Sequence, residues 1–211
     1  MGICDMKNII IVGPGRGGKT TLAKKINEKL NYFVIHMDYF MTTLDRAYPQ
    51  LDVRIAWDAE KASANIAPFI GHFLGMSVCY RDFGEDLILD KHITKGNKFV
   101  MEGGHFDFDK ISAVFKNYKI GDLRENFILI GLVQHTKTAV EFFNDLRKYD
   151  TEEEWTHSVD DDDLMAYCEY LVLNSREMFN NFLKHGFTIY DTSKNREQVF
   201  DKIIEDIKRL D

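Results

Sequence analysis

The pattern of hydrophobic and polar positions along the chain predicts strands that alternate with helices. Short apolar runs predict five strands, near residues 8–12, 32–36, 99–101, 127–133 and 187–190. Apolar residues at helical spacing predict helices near residues 21–30, 59–74, 139–149, 160–185 and 196–210. This alternation is typical of an α/β fold in which a five-stranded parallel sheet has helices on both faces.

Two shorter apolar runs, 78–80 and 87–89, flank a turn-like stretch and predict a small hairpin. The sequence contains no internal repeat, low-complexity segment or linker. We therefore expect residues 1–211 to form a single domain.

The most informative stretch is Gly13–Thr20, which reads GPGRGGKT and lies between the first strand and the first helix. It fits the spacing G-x-x-x-x-G-K-[ST], in which glycines let the backbone curl so that N–H groups point at phosphate oxygens. The helix N-terminus adds partial positive charge. The residues predicted to bind a nucleotide are Gly13, Gly15, Arg16, Gly17, Gly18, Lys19, Thr20 and Thr21. We expect this stretch to be the phosphate loop of a P-loop NTPase fold.

The motif also predicts separate roles for two of its side chains. Lys19 is expected to reach the β- and γ-phosphates of ATP as a catalytic residue, and the Thr20 hydroxyl to bind Mg²⁺.

Three carboxylates follow predicted strands: Asp38, Glu102 and Asp191. Ligands of parallel α/β sheets bind at the carboxyl ends of the strands. If the second and third strands neighbour the first, Asp38 and Glu102 flank the γ-phosphate. Asp38 could then accept a proton from an acceptor hydroxyl, and Glu102 could bind the metal or its waters. Asp191 is predicted to form a turn before the last helix.

Four ordered segments resemble the nicotinamide riboside kinases and the related uridine kinases. After the phosphate loop, residues 35–40 (IHMDYF) are similar to the HxDxF segment of these kinases. Residues 56–62 (AWDAEKA) are similar to their WDxPEA segment, and residues 99–104 (FVMEGG) to their strand that ends in Glu-Gly. The resemblance covers roughly the first half of the chain.

The resemblance implies roles for three acidic residues. Asp38 matches the base that acts on the ribose 5′-hydroxyl, Asp58 matches the residue that binds the ribose 2′- and 3′-hydroxyls, and Glu102 matches an acid near the metal. The proline of the second segment has no counterpart among residues 57–62. Asp58 could instead cap the helix that begins near Ala59.

The second half departs from these kinases, which carry several arginines in a lid over the phosphates. Arg147 is the predicted catalytic lid cation, because a planar guanidinium can bridge phosphate oxygens. Lys148 is an alternative, and both cations could simply lie on a solvated helix end. We expect a lid over residues 141–159 and an acceptor-covering region over residues 42–96.

Composition and charge exclude several other classes. The formal net charge of −7 argues against non-specific binding to nucleic acid or to an acidic membrane. Cys4, Cys79 and Cys168 form no metal or disulfide pattern. No membrane span or signal peptide is recognised, so a cytoplasmic protein is expected, as a monomer or a homodimer.

The run Asp160–Asp163 is predicted to begin a helix rather than to bind a metal.

The expected function is an ATP- and Mg²⁺-dependent transfer of a phosphoryl group to a small, nucleoside-like acceptor. Arg46, Arg54 and Arg81 leave a kinase for a nucleoside monophosphate or another small alcohol open. The guanine signature N-K-x-D is absent, which argues against a GTPase. A non-catalytic, nucleotide-binding regulatory protein is the remaining alternative.

Overall fold

The computed structural model describes residues 7–54, 58–78, 98–119 and 121–210. Its strands are β1 (Asn8–Val12), β2 (Phe33–His36), β3 (Phe99–Gly103), β4 (Phe127–Val133) and β5 (Thr188–Asp191). Its helices are α1 (Lys19–Leu30), α2 (Met37–Ala47), α3 (Ala59–Val78), α4 (Phe108–Phe115), α5 (Leu123–Asn126), α6 (Ala139–Tyr149), α7 (Asp161–His185) and α8 (Arg196–Arg209). Short 3₁₀ turns cover Pro49–Leu51, Lys116–Tyr118 and Trp155–Ser158.

All five strands form one parallel sheet in the order β2-β3-β1-β4-β5. The third strand thus pairs with the first, as the sequence argument required. The second strand, however, lies at the sheet edge beside β3, so β3 separates it from β1. In this register His36 at the end of β2 is paired with Glu102 in β3.

Helices cover both faces of the sheet. Successive side chains of each strand point to opposite faces, so they pack into two separate cores. Ile9 and Ile11 of β1 pack with apolar residues of α1 and α8 on one face. Ile10 and Val12 pack on the opposite face with residues of α2, α3, α4 and α7. Strands that are buried on both faces read as continuous apolar runs, which is the pattern of β1 and β4. The predicted three-layer α/β fold is confirmed.

A third apolar cluster joins α6 to α7 beside the sheet. Phe142 and Leu146 of α6 pack against Leu164, Cys168 and Leu171 of α7, all of them buried. This cluster fixes the segment between the two helices, residues 150–160, near the phosphate loop.

Three helices were not predicted from the sequence: α2, α4 and α5. Asp38 consequently lies in the first turn of α2 and not in a loop after the strand. Helix α3 begins as predicted but continues to Val78. Val78, the first residue of the expected hairpin strand at 78–80, is therefore helical. The rest of that hairpin lies outside the described residues.

Helix termini agree with the predictions made from capping residues. The Asp160 side chain accepts a hydrogen bond from the Asp163 backbone N–H at the start of α7, and Gly186 ends that helix with a φ of 71°.

The described residues contain no group of three or more His, Cys, Asp or Glu side chains arranged to hold a metal ion. None of the helices in the same residues has the length and apolar character that a membrane span requires.

Candidate functional site

The loop between β1 and α1 requires glycine at two positions in particular. Gly18 is the N-cap of α1 and has a φ of 88°, a conformation that other residues rarely adopt. A Cβ atom at Gly13 would lie 2.6 Å from the Leu132 carbonyl oxygen. The loop can therefore pass close to β4 and turn its backbone into the helix, as a phosphate-binding loop does.

Lys19 is the first residue of α1, and its side chain folds across the loop. Its Nζ atom donates a hydrogen bond to the Pro14 carbonyl oxygen at 2.8 Å. Burial lowers the pKa of Lys19, while the charges of Glu102 and Asp38 act in the opposite direction. The structure thus brings the predicted phosphate-binding lysine within electrostatic range of both predicted acidic residues.

Glu102 lies at the end of β3, next to the start of α1. Its Oε1 atom accepts a hydrogen bond from Thr20 Oγ1 at 3.2 Å and lies 2.6 Å from His36 Nδ1. The side chain is almost fully buried. A buried carboxylate beside the motif threonine fits Mg²⁺, which binds one or two protein oxygen ligands together with phosphate oxygens and water. His36 is a site residue to which the sequence argument gave no role; its position next to Glu102 follows from strand register.

Asp38 shares its surroundings with three basic groups. Its backbone carbonyl accepts a hydrogen bond from Thr42 Oγ1 at 2.7 Å, and Arg54 Nη1 donates to the same hydroxyl at 3.0 Å. Burial lowers the pKa of His105; the Asp38 charge opposes this, and Lys19 and Arg54 add to it. His105 therefore lies within electrostatic range of Asp38, Lys19 and Arg54.

Two predicted site residues make structural contacts. Asp58 Oδ1 accepts a hydrogen bond from the Lys61 backbone N–H at 2.8 Å, which is the capping contact that the sequence left open. Arg147 donates from Nε and Nη2 to Asp161 Oδ1 and from Nη2 to the Val159 carbonyl oxygen at 2.6 Å.

The resemblance implies a ribose contact for Asp58, with helix capping as the alternative, and the sequence predicts a phosphate contact for Arg147. Both roles remain predictions, and in this structure Arg147 does not line the site.

A cleft of about 1010 Å³ opens at the phosphate loop. Its lining includes the predicted residues Gly15, Arg16, Gly18, Lys19, Thr20, Thr21 and Asp38. It also includes residues that the sequence argument missed: Lys24, Gln134, Lys137, Asp145, Tyr149, Asp150, Glu154, Thr192, Ser193 and Arg196. Gln134 and Thr192 directly follow β4 and β5, so the rule that ligands bind at strand ends could have identified them.

Two buried polar atoms of this lining have no hydrogen-bond partner within the described residues: Gln134 Oε1 and Ser193 Oγ. The Gln134 amide group donates to the Thr192 carbonyl oxygen at 3.3 Å, which fixes its orientation. Buried polar atoms are normally paired, so this end of the cleft is suited to a ligand with hydrogen-bonding groups.

Comparisons with known proteins identify the fold. No protein-family model matches the sequence, and no curated protein matches it. The chain is similar in structure to a gluconokinase from Sinorhizobium meliloti 1021, with a TM-score of 0.56, 10% sequence identity, and coverage of 98% of this chain and 94% of that chain. It is also similar to shikimate kinase from Bacteroides thetaiotaomicron, with a TM-score of 0.51, 16% identity and 97% coverage of both chains.

At these identities the likeness shows the fold alone. The chain has the three-layer α/β fold of P-loop kinases. The finer resemblance to nicotinamide riboside and uridine kinases stays a prediction.

Proposed function

We propose that this protein transfers the γ-phosphoryl group of Mg-ATP to a hydroxyl group of a small, nucleoside-like acceptor. The observation that carries the proposal is that Lys19, Thr20 and Asp38 line one cleft at the carboxyl ends of the strands, where Thr20 donates a hydrogen bond to Glu102. This arrangement supplies a phosphate-binding cation, a proton acceptor and a metal-binding carboxylate at one place. Phosphoryl transfer needs mainly positioning and neutralisation of charge.

Each residue has a role in the proposed reaction. The loop N–H groups and Lys19 hold the phosphates, and Asp38 accepts the proton of the acceptor hydroxyl. The acceptor oxygen forms a bond to the γ-phosphorus while the bond to the β,γ-bridging oxygen breaks. The electron pair of the broken bond stays on ADP. Thr20 and Glu102 would hold Mg²⁺, which neutralises phosphate charge when bound.

The acceptor class rests on the resemblance of residues 35–62 to nucleoside kinases. A small alcohol that carries an acid group, or a nucleoside monophosphate, is the second candidate. Arg54, near Asp38, favours it, because a guanidinium binds carboxylates and phosphates well. Gluconate and shikimate, named by the structural neighbours, belong in any substrate panel.

We propose further that the protein acts in the cytoplasm as a monomer or a homodimer, without nucleic-acid or membrane partners. The net charge of −7 supports the absence of such partners.

The decisive experiment measures ADP release from Mg-ATP across nucleosides, nucleoside monophosphates, gluconate, shikimate and other small alcohols. We expect release that depends on one acceptor class and disappears in Lys19→Ala. Tight ATP binding without release for any acceptor would instead support the regulatory, non-catalytic alternative.

Asp38→Asn tests the proposed base. Because the amide cannot accept the proton, kcat should fall by roughly 10²–10⁴-fold while ATP affinity changes little. Asp45→Asn, on the same helix, is the matched control. Full transfer activity in Asp38→Asn would rule out this role.

A further inference from the structure

Arg16 is an unusual residue at the apex of the phosphate loop. Its backbone φ is 63°, in the left-handed region that glycine adopts most easily. Residues 15 and 17 on either side are glycines, but this position is an arginine. A non-glycine residue in this region is uncommon and costs free energy, which the surrounding structure offsets.

The Arg16 guanidinium is held by three side chains of the segment that follows α6. Its Nη2 atom donates to Asp150 Oδ2 at 2.7 Å, and Nη1 donates to Glu154 Oε2 at 2.9 Å. The Thr156 hydroxyl contacts both Nη2 and Asp150 Oδ2. Asp150 and Thr156 are nearly buried, whereas 46% of the Glu154 side chain is exposed. The residue thus has one protected and one exposed acidic partner.

Arg147, the arginine predicted to bind the phosphates, is bound by other groups of the same segment and by the start of α7. Its guanidinium is bound by Asp161 and by the Val159, His157 and Thr156 carbonyl oxygens. Arg16, by contrast, lines the cleft at the phosphate loop, together with Asp150 and Glu154.

We infer that Arg16 is the guanidinium that contacts the transferred γ-phosphoryl group, and that Asp150 is its positioning residue. The inference rests on the proposed phosphoryl transfer and adds to Lys19 a second cation, one that contacts the γ-phosphoryl group. Phosphate oxygens replace the exposed Glu154 carboxylate on Arg16, while the buried Asp150 contact is kept. The cation then stabilises the charge that develops on the γ-phosphoryl oxygens and the bridging oxygen as the electron pair moves to ADP.

The inference makes a prediction for binding that does not require turnover. Arg16→Ala should weaken ATP binding by about tenfold or more, because a charge-assisted hydrogen bond to the γ-phosphate is lost. ADP lacks that phosphate, so its affinity should change by less than about threefold. Isothermal titration of both nucleotides measures the two effects. Equal effects on ATP and ADP, or no effect on either, would overturn the inference.

A second prediction concerns catalysis. Arg16→Ala should lower kcat by roughly 10³-fold, the lower end of the effect of an arginine that stabilises a phosphoryl-transfer transition state. Arg16→Lys keeps the charge but loses the planar fork, so its kcat should fall between those of the wild type and Arg16→Ala. Arg209→Ala, which removes an exposed arginine paired with Glu205 and Asp206 on α8, is the matched control.

Asp150→Asn tests the positioning role. If Asp150 acts through Arg16, the substitution should lower kcat in the wild-type background, with little change in the KM for the acceptor. It should have almost no further effect on kcat or on the ATP-to-ADP affinity ratio in Arg16→Ala. Equal effects in both backgrounds would show that Asp150 acts independently of Arg16.

The two nucleotide titrations also separate this inference from the proposed function. If the wild type transfers no phosphoryl group to any acceptor, the proposed function fails, yet the selective loss of ATP affinity in Arg16→Ala still decides whether Arg16 contacts the γ-phosphate. If transfer occurs and Arg16→Ala retains full kcat, only the inference about Arg16 fails.

Discussion

Glu102 is a buried carboxylate that joins two elements of the site. Thr20 in α1 donates to its Oε1 atom, and His36 in β2 lies within 2.6 Å of the same oxygen. The predicted metal ligands are therefore neighbours, although 82 positions separate them in sequence. A carboxylate in this place supplies the negative charge that a divalent cation requires.

Glu102→Gln should raise the Mg²⁺ concentration needed for half-maximal ADP release by roughly 10–100-fold, because the amide retains the shape of the carboxylate but loses its charge. Titration of activity with Mg²⁺ measures this shift. Glu28→Gln, on the exposed side of α1, is the control. An unchanged Mg²⁺ dependence would show that Glu102 does not serve the metal.

Tyr190 makes stability depend on pH at the alkaline end. Its hydroxyl donates to Asp206 Oδ2 at 3.0 Å, and burial together with this carboxylate raises the pKa of the phenol. The folded state keeps its proton at a pH where the unfolded state loses it. The stabilising contribution is thus complete below about pH 10, the ordinary value for tyrosine, and is lost as the pH rises above it.

Tyr190→Phe should therefore lose less stability than the wild type between about pH 10 and pH 12. Urea unfolding at several pH values measures the difference in slope. The exposed Tyr48 provides the control, because Tyr48→Phe should keep the wild-type slope. Identical slopes for wild type and Tyr190→Phe would contradict the assignment.

At the scale of elements, the sequence predicted best those that carry a continuous apolar pattern or a cap. Strands β1 and β4 and helix α7 lie close to their predicted bounds. Helix α2 was missed because only Met37 and Met41 are buried in it, which is too narrow an apolar stripe to recognise. Helix α4 was missed because its eight residues provide barely two turns of pattern.

The contact between β4 and α7 depends on the absence of a side chain at Gly131. A Cβ atom there would lie 2.5 Å from Phe182 Cδ2, and Phe182 is buried between the helix and the sheet. Gly131→Ala should lower the free energy of unfolding by about 1–3 kcal/mol through overpacking. Chemical denaturation measures the change.

Gly104→Ala is the control for this prediction, because its nearest neighbour, the Gly13 carbonyl oxygen, would be at an ordinary contact distance of 3.5 Å. Equal stabilities of the two variants would mean that α7 can move away from β4 without cost.

At the scale of the whole molecule, nucleotide binding should stabilise the fold, since the cleft is built from both halves of the chain. Mg-ATP at 100 times its dissociation constant should add about 2.7 kcal/mol to the free energy of unfolding. For a chain of this size the unfolding midpoint should rise by roughly 5–10 °C. Thermal unfolding with and without nucleotide measures the shift.

Lys19→Ala should remove most of this shift at the same nucleotide concentration, because the phosphates lose their buried cation. Lys29→Ala, at the exposed end of the same helix, should retain it. A full shift in Lys19→Ala would place the nucleotide elsewhere on the molecule.

The sequence by itself determined the features that depend on neighbouring residues. The glycine-rich loop of residues 13–18 with its flanking strand and helix, the caps at Asp160 and Gly186, and the parallel α/β class are all encoded in short, local patterns. Glycine spacing, capping side chains and apolar periodicity act over a few residues, so they can be recognised without knowledge of the fold.

Only the tertiary structure decided which distant residues meet. It placed β2 at the sheet edge beside β3, and it brought Arg16 to Asp150 across 134 positions of sequence. It also directed Arg147 to Asp161 and made Asp58 a helix cap. Such contacts depend on how all the strands and helices pack, and a single charged side chain carries no local pattern that names its partner.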